Sequence, residues 1–371
     1  MNSKPVIKIG IVAGEKSGDR LGAKIISELK KFNDVELYGV GGPKLENEGL
    51  NSIFNFEKLH VMGLIEPLVK INELLGYRKK LIKLFCSNNI DYFIGIDSPD
   101  FNISIHKALK IKNVSKNIQV VSPSVWVWRE NRVKAIKKYI DLTMCLFNFE
   151  DNYYKRNNLP SIHMGHPFKN LFPHKSENVY KRFDLNPDRK YIAVLPGSRK
   201  SELQNLLPTF VEFIKLHSKN NINYQYLIPA SDQKSLEFIK SVTPKDLPIH
   251  IHLDCAREFL SIAEFSVVTS GTATLESAVL GTSPIICYKT NPLNYFIISR
   301  MLKTDDVGLP NLLLGSRHFP ELIQKKCTAQ TILDASKSIN TNINIELISK
   351  ELRNLLIGVS EEECTKAILQ L

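Results

Sequence analysis

The chain has 371 residues, 43% hydrophobic and 23% charged, with 49 Lys and Arg against 38 Asp and Glu for a formal net charge of +11. That balance excludes a disordered or fibrous protein, and the length suits two α/β domains with a cleft between them better than one core. The excess charge is either a solvated, lysine-rich surface or the mark of an anionic partner: a nucleotide, a phosphorylated substrate, a nucleic acid or an acidic lipid face.

Residues 7–12 read as the first strand, because the apolar stretch there is short and interrupted by Lys8, unlike a secretory segment. After the turn Gly14-Glu15-Lys16-Ser17-Gly18, Leu21, Ile25 and Leu29 fall one turn apart with Arg20, Lys24 and Lys30 between them, which predicts an amphipathic helix. Further strands at 35–40, 92–96, 119–122 and 142–146 alternate with helical patterns, the sequence form of a parallel sheet wrapped by helices. Gly165-His166-Pro167 and the polar stretch to Arg189 read as hinge and linker. A second alternation follows, with strands at 191–195, 224–228, 249–253, 265–269 and 284–287. The segment 345–371 reads as helix that can pack back on the first domain, so the expected organisation is 1–165, 166–344 and 345–371. No run of about 18 apolar residues occurs, so no membrane-spanning helix is expected and membrane contact would be peripheral. Six scattered cysteines without a C-x-x-C pair suggest neither a zinc site nor a disulfide framework and suit a reducing cytoplasm.

In parallel α/β sheets ligands bind beyond the carboxyl ends of the strands, so the loops that follow strands are the places to search. Thr269-Ser270-Gly271-Thr272-Ala273-Thr274-Leu275-Glu276 opens a helix with small residues and free N–H groups, where a diphosphate fits. Glu276, one turn beyond Thr272, can accept hydrogen bonds from a ribose diol. A simple helix cap explains the same residues. Leu195-Pro196-Gly197-Ser198-Arg199 also follows a strand, and Ser201 with Gln204 forms a capping-box pattern. Arg199 would then neutralise a departing phosphate, or else be a surface arginine near a cap. Ile96-Asp97-Ser98-Pro99-Asp100-Phe101-Asn102 sets two carboxylates just past a strand. Asp97 is a candidate base for a sugar hydroxyl, against the alternative that it forms the turn while Asp100 caps a helix beginning near Asn102. Gly14 to Asp19 matches neither G-x-G-x-x-G nor a P-loop, which leaves a backbone cradle or a tight turn.

Other features are ambiguous. His250 and His252 alternate along a strand as metal ligands would, or as ordinary edge histidines do. No D-x-D triplet is present, which speaks against nucleotide binding through a divalent ion. Val61, Leu64, Ile65, Leu68, Ile71 and Leu75 recur at helical spacing before Arg78, Lys79, Lys80 and Lys83, the order of a helix on an anionic bilayer or of a core helix with a solvated end, with a break expected at Pro67. Trp126 and Trp128, followed by Arg129, Arg132, Lys134, Lys137 and Lys138, suit a nucleic acid or a single phosphate on a lipid headgroup.

Taken in order, these loops resemble one family. Val12-Ala13-Gly14-Glu15-Lys16-Ser17-Gly18-Asp19, Gly41-Gly42-Pro43, Val61-Met62-Gly63, Gly95-Ile96-Asp97-Ser98-Pro99-Asp100-Phe101-Asn102 and Val121-Ser122-Pro123-Ser124-Val125-Trp126 resemble the bacterial lipid-A-disaccharide synthases. So do Gly165-His166, Leu195-Pro196-Gly197-Ser198-Arg199, Ser270-Gly271-Thr272-Ala273-Thr274-Leu275-Glu276, Lys303-Thr304-Asp305 and Leu309-Pro310-Asn311-Leu312-Leu313, so the match runs from about residue 9 to 330. The resemblance implies two facing Rossmann-like, doubly wound domains of the GT-B type and an inverting transfer, without metal or other cofactor, from UDP-2,3-diacylglucosamine to 2,3-diacylglucosamine 1-phosphate (lipid X).

It also implies residue roles. Asp97 and Arg199 fall on the family's functionally important Asp and Arg. Gly197, Ser198, Arg199, Ser270, Gly271, Thr272, Thr274, Glu276 and Asn311 would hold the nucleotide. Gly14, Glu15, Ser17, Gly18, Asp100, Asn102 and Ser122 would hold the acceptor. Val61, Met62, Leu64, Ile65 and Leu68 would meet anionic lipid on the cytoplasmic face of the inner membrane, with a homodimer left open and no nucleic-acid partner. Trp126-Val127-Trp128-Arg129-Glu130, Phe147-Asn148-Phe149-Glu150 and the short C-terminal tail depart from the family's pattern. Rival readings are another GT-B enzyme, a UDP-GlcNAc 2-epimerase or the peptidoglycan N-acetylglucosaminyltransferase, and a non-catalytic basic protein that binds membrane or nucleic acid.

Overall fold

The structure, a computed structural model, describes residues 4–59, 71–123, 131–290, 306–339 and 344–371. The chain forms two compact units, one running to His166 and including Ile357–Leu371, the other Pro167–Leu356.

The first unit is built on β1 (Val6–Ala13), β2 (Asp34–Val40), β3 (Asn51–Ser52), β4 (Tyr92–Ile96), β5 (Lys116–Val120), β6 (Leu142–Cys145) and β7 (Ser161–His163). They form one sheet in the order β3-β2-β1-β4-β5-β6-β7, parallel throughout. The central strands are apolar on both faces: Ile9, Ile11, Ile94, Ile96, Ile118 and Val120 pack in one cluster, Val12, Phe85, Phe93, Ile105 and Leu109 in another. The helix Lys16–Leu29 buries Leu21, Ile25, Ile26 and Leu29 on the first of these, at the spacing the sequence predicts.

The second unit repeats the plan with β8 (Lys190–Leu195), β9 (Tyr224–Ala230), β10 (Ile249–Leu253), β11 (Phe265–Thr269), β12 (Ser283–Tyr288) and β13 (Glu321–Ile323), in the order β10-β9-β8-β11-β12-β13. The strand order reverses between β1 and β4 in one sheet and between β8 and β11 in the other. Those are the topological switch points where such sheets bind ligands.

Three details differ from the sequence reading. The strand expected at 119–122 runs Lys116–Val120, because Val121 turns left-handed with φ of 65° and ends it. The short edge strands β3, β7 and β13 are too brief to show a periodic signal. The segment 345–371 is two helices rather than one. Ser349 and Arg353 of Ile345–Leu355 both donate to the Val279 carbonyl at 2.6 Å, which keeps that helix in the second unit. Cys364 and Ile368 of Glu361–Leu369 instead join the Ile25 and Ile26 cluster of the first, helped by a Lys24–Glu361 ion pair.

The loop after β2 is anchored by a carboxylate. Asp19, 3% exposed, accepts the N–H groups of Gly42 (2.9 Å), Lys44 (2.9 Å) and Leu45 (3.0 Å) at the start of the Pro43–Asn47 helix. A side chain at position 42 would sit 2.7 Å from an Asp19 carboxylate oxygen, so glycine is needed there. Asp19→Ala should therefore leave three donors without a partner and destabilise the first unit by roughly 2–4 kcal/mol, read from its denaturant midpoint, while Asp19→Asn, which keeps one acceptor oxygen, should lose less. An unchanged midpoint for the alanine variant would rule out this anchoring.

Candidate active site

At the switch point of the first sheet lie the loops after β1, β4 and β5. Gly14 is buried because a side chain there would meet Leu59 at 3.0 Å and Ser98 Oγ at 3.5 Å, which brings the first and second of these loops together. Glu15 is half-buried and its carbonyl accepts the Asp19 N–H at 2.9 Å, while Ser17 is exposed on the first turn of the following helix. Gly18 faces Ile96, 3.2 Å from where its Cβ would be, and lets helix and strand approach.

Asp97 and Ser98 are both left-handed, with φ of 52° and 38°, and lead into the helix Pro99–Ile111. Non-glycine residues seldom adopt that conformation, and two in succession must be held by their surroundings. The Asp97 N–H donates to the Val120 carbonyl at 2.9 Å, its carbonyl accepts from Asn102 Nδ2 at 2.8 Å, and its Oδ1 accepts the Ser98 N–H at 2.9 Å. The carboxylate is half-buried. Asn102 is fully buried, and its Nδ2 is committed to the backbone of this turn. Asp100 lies in the first turn of a helix that begins at Pro99, not near Asn102. Its carbonyl accepts from Arg78 Nη2 at 2.8 Å, and the Arg78 guanidinium lies 5.0 Å from the Phe101 ring centre. Ser122 is buried and donates to the Pro123 carbonyl at 3.1 Å. Val61, Met62, Leu64, Ile65 and Leu68 lie outside the described residues, as do Trp126 and Lys303-Thr304-Asp305.

Beneath Asp97 is a polar layer that sequence reasoning missed. Gln119 Nε2 lies within 3.0–3.3 Å of the carbonyls of Asp97, Val120 and Val121, and His106 Nε2 lies 3.1 Å from Gln119 Oε1. A glutamine between Ile118 and Val120 was the available signal. Burial pushes the His106 imidazole down to about 4, against a smaller opposing effect of the Gln119 hydrogen bond, and burial likewise takes His166 to about 4.

At the switch point of the second sheet, Gly197 turns with φ of 102°, and a side chain there would overlap Glu202. Arg199 is the residue before the helix Lys200–Asn220. Glu202, rather than Ser201 or Gln204, completes the cap: its Oε2 accepts the N–H groups of Ser198 (3.2 Å) and Arg199 (3.3 Å), and its Oε1 accepts from the Arg199 guanidinium at 3.0 Å. Ser201 is already helical, which leaves its hydroxyl too far along to cap. Ser198 and Arg199 are exposed.

Gly271 and Thr272 are exposed at the start of the helix Thr272–Val279, and Ser270 Oγ donates to the Val307 carbonyl at 3.1 Å. Thr274 is fully buried, and its hydroxyl donates to the Gly271 carbonyl at 2.8 Å, which shapes the loop. Glu276 pairs with Arg257 at 2.7 Å, and the Arg257 guanidinium lies 5.7 Å from the Phe168 ring centre; nothing local in the sequence announces an arginine 19 residues upstream.

Asn311 follows on the helix Leu309–Leu314. It is fully buried, donates to the Phe319 carbonyl (2.9 Å) and Glu321 Oε1 (2.8 Å), and accepts the N–H groups of His318 and Phe319 at 3.0 Å, which uses its whole amide. Glu321 in turn accepts the N–H groups of Val307 (2.8 Å) and Gly308 (3.0 Å), so both residues hold the loop after β12. His250 Nε2 lies 3.0 Å from Gln225 Oε1, and His252 lies edge-on to Phe183.

The two neutral histidines set a pH dependence. Above about pH 6.5 both rings are uncharged in the folded and unfolded chain alike. Between about 6.5 and 4 the unfolded chain takes up protons that the folded one refuses, so the stability of the first unit should fall as pH drops and level off below about 4. Urea midpoints across that range should show the decline, shallower in a His106→Phe chain; parallel profiles for the two chains would contradict it.

The geometry can be set beside known proteins. A family model described as Lipid-A-disaccharide synthetase matches residues 9–369. The chain is 36% identical over 383 residues to the lipid-A-disaccharide synthase of Acinetobacter baylyi, covering 98% of this chain and 97% of that protein. It is 38% identical over 339 residues to the one of Hahella chejuensis, covering 90% and 85%. Among solved structures it is similar to the UDP-GlcNAc 2-epimerase of Neisseria meningitidis bound to UDP-GlcNAc, at 11% identity and a TM-score of 0.64 over 98% of each chain. It is also similar to Acinetobacter baumannii MurG, at 10% identity and a TM-score of 0.55 over 99% of this chain and 100% of the other. Those structural likenesses show a shared GT-B fold.

Proposed function

The chain belongs to the lipid-A-disaccharide synthetase family and is a glycosyltransferase, and on that premise we propose that it moves 2,3-diacylglucosamine from UDP onto 2,3-diacylglucosamine 1-phosphate, releasing UDP and the β-1,6-linked disaccharide 1-phosphate. The acceptor's 6-hydroxyl gives its proton to the Asp97 carboxylate as its oxygen attacks the anomeric carbon of the donor. The bond from that carbon to the diphosphate oxygen breaks, its electron pair leaves with UDP, and the configuration inverts.

The observation that carries this reading is the setting of Asp97: a carboxylate at a switch point, on a left-handed turn whose backbone is hydrogen-bonded from both sides. Glu15, Ser17 and Asp100 lie on the neighbouring loops, and in this reading their polar side chains meet the acceptor sugar. In the second unit, Ser198, Ser270, Gly271 and Thr272 offer the nucleotide a lining of small residues and helix-start N–H groups. Arg199, oriented by Glu202, faces the charge that develops on departing UDP. Glu276 keeps a carboxylate oxygen beyond the one paired to Arg257 for a ribose hydroxyl.

Contact with the membrane is peripheral in this reading. Among the described residues no helix is long and apolar enough to cross a bilayer. The helix Ile71–Asn88 exposes Ile71 (46%) and Leu75 (43%) near its start and Lys79, Lys80 and Lys83 beyond, which supports binding to an anionic lipid face on the cytoplasmic side of the inner membrane.

The test is UDP release by the purified full chain, without added metal, from UDP-2,3-diacylglucosamine in the presence and absence of 2,3-diacylglucosamine 1-phosphate. Release should require the acceptor, and Asp97→Asn should lower turnover by roughly 10²–10⁴ while UDP affinity stays near that of the parent. Turnover of the donor without acceptor would point to epimerase-like chemistry, and an Asp97→Asn variant at normal turnover would remove the base.

A further inference from the structure

We propose that Gln119 is a positioning residue for this transfer: its buried amide fixes the backbone from which Asp97 acts, and His106 fixes the orientation of that amide. The inference rests on Asp97 being the base.

Gln119 is 1% exposed in the middle of a sheet, where an amide is costly unless its donors and acceptor are all met. They are met in one arrangement. The carbonyls of Asp97 (3.2 Å), Val120 (3.0 Å) and Val121 (3.3 Å) accept from Nε2 and can only accept, so the nitrogen must face the strand ends. The oxygen then faces His106 Nε2 at 3.1 Å, which must carry the proton. His106 is itself fully buried, its ring 4.7 Å from that of Phe93, and its carbonyl accepts from Asn117 Nδ2 at 2.9 Å, which also donates to the Tyr139 carbonyl at 2.8 Å.

The carbonyls that Gln119 gathers belong to the strained places. Asp97 and Val121 are left-handed, and for a β-branched residue such as Val121 that conformation is unusual. Without the amide, the Val121 carbonyl loses this donor, the Asp97 and Val120 carbonyls are left to Asn102 Nδ2 (2.8 Å) and the Asp97 N–H (2.9 Å), and the turn, held by fewer bonds, is freer to relax. The Asp97 carboxylate, tied to the Ser98 N–H at 2.9 Å, moves with it.

Gln119→Met keeps the side-chain length and removes the donors. Its kcat should fall by about 10–100-fold, with KM for both sugar substrates and affinity for UDP within about twofold of the parent. Combined with Asp97→Asn it should add less than about threefold, since both changes act on one carboxylate. Should Gln119→Met not fold, His106→Phe keeps the ring against Phe93 but loses the N–H, and is expected to lower kcat by about 3–10-fold at unchanged KM. A normal kcat in whichever of the two variants folds, or a Gln119→Met loss that multiplies in full with that of Asp97→Asn, overturns the proposal and leaves the base in place. Near-normal turnover in Asp97→Asn alone removes the reading beneath it.

Discussion

Three carbonyls at the ends of β4 and β5, those of Asp97, Val120 and Val121, are gathered by one buried amide. Gln119 does this from inside the sheet, so the constraint is imposed from below and leaves the carboxylate above it half-buried rather than sealed. The left-handed residues Asp97, Ser98 and Val121 exist because that amide, with Asn102, over-determines the turn. Everything argued about proton transfer depends on this being a stiff perch, since a base misplaced by an ångström loses much of its effect.

Elsewhere the same problem is solved with the opposite sign. Loop N–H groups, not carbonyls, need partners at the starts of helices, and carboxylates supply them: Asp19 for the loop after β2, Glu202 for the loop after β8, Glu321 for the loop after β12. Each carboxylate is reached from a different part of the chain or from the following turn, so a loop's shape is set by an element other than itself. Arg199 gains its orientation from Glu202 in this way. With the guanidinium half-exposed, that pair contributes direction more than stability.

The closing segment shows how polar and apolar anchors divide one stretch of chain between two bodies. Arg353 and Ser349 bind the last carbonyl of the Thr272–Val279 helix, so Ile345–Leu355 stays with the unit bearing the glycine-threonine loop. The Glu361–Leu369 helix instead lays its apolar face, Cys364 and Ile368, on the first sheet, beside the Lys24–Glu361 ion pair. Ahead of that helix, within the first unit, Gly358 lies so close to Gly165 that a side chain would collide with its backbone.

By itself the sequence determined the alternation of strand and helix, the two halves, and the loops in which chemistry would sit, because hydrophobic periodicity and turn residues are local and survive without a fold. It also carried the family, through motifs kept in order. Tertiary structure alone decided which motif residues face outward and which are spent inward. Thr274, Asn311, Asn102 and Gly18 stand in motif loops, and the fold turns the Thr274 hydroxyl to the Gly271 carbonyl, the Asn311 amide to Phe319 and Glu321, Asn102 Nδ2 to the Asp97 carbonyl and Gly18 to Ile96. Gln119, Glu321 and Arg257 carry no motif, since the bonds that tie Gln119 to Asp97, Glu321 to Asn311 and Arg257 to Glu276 span 22, 10 and 19 residues. A hydrogen bond is fixed by distance in space, and only the folded sheet brings those ends within reach.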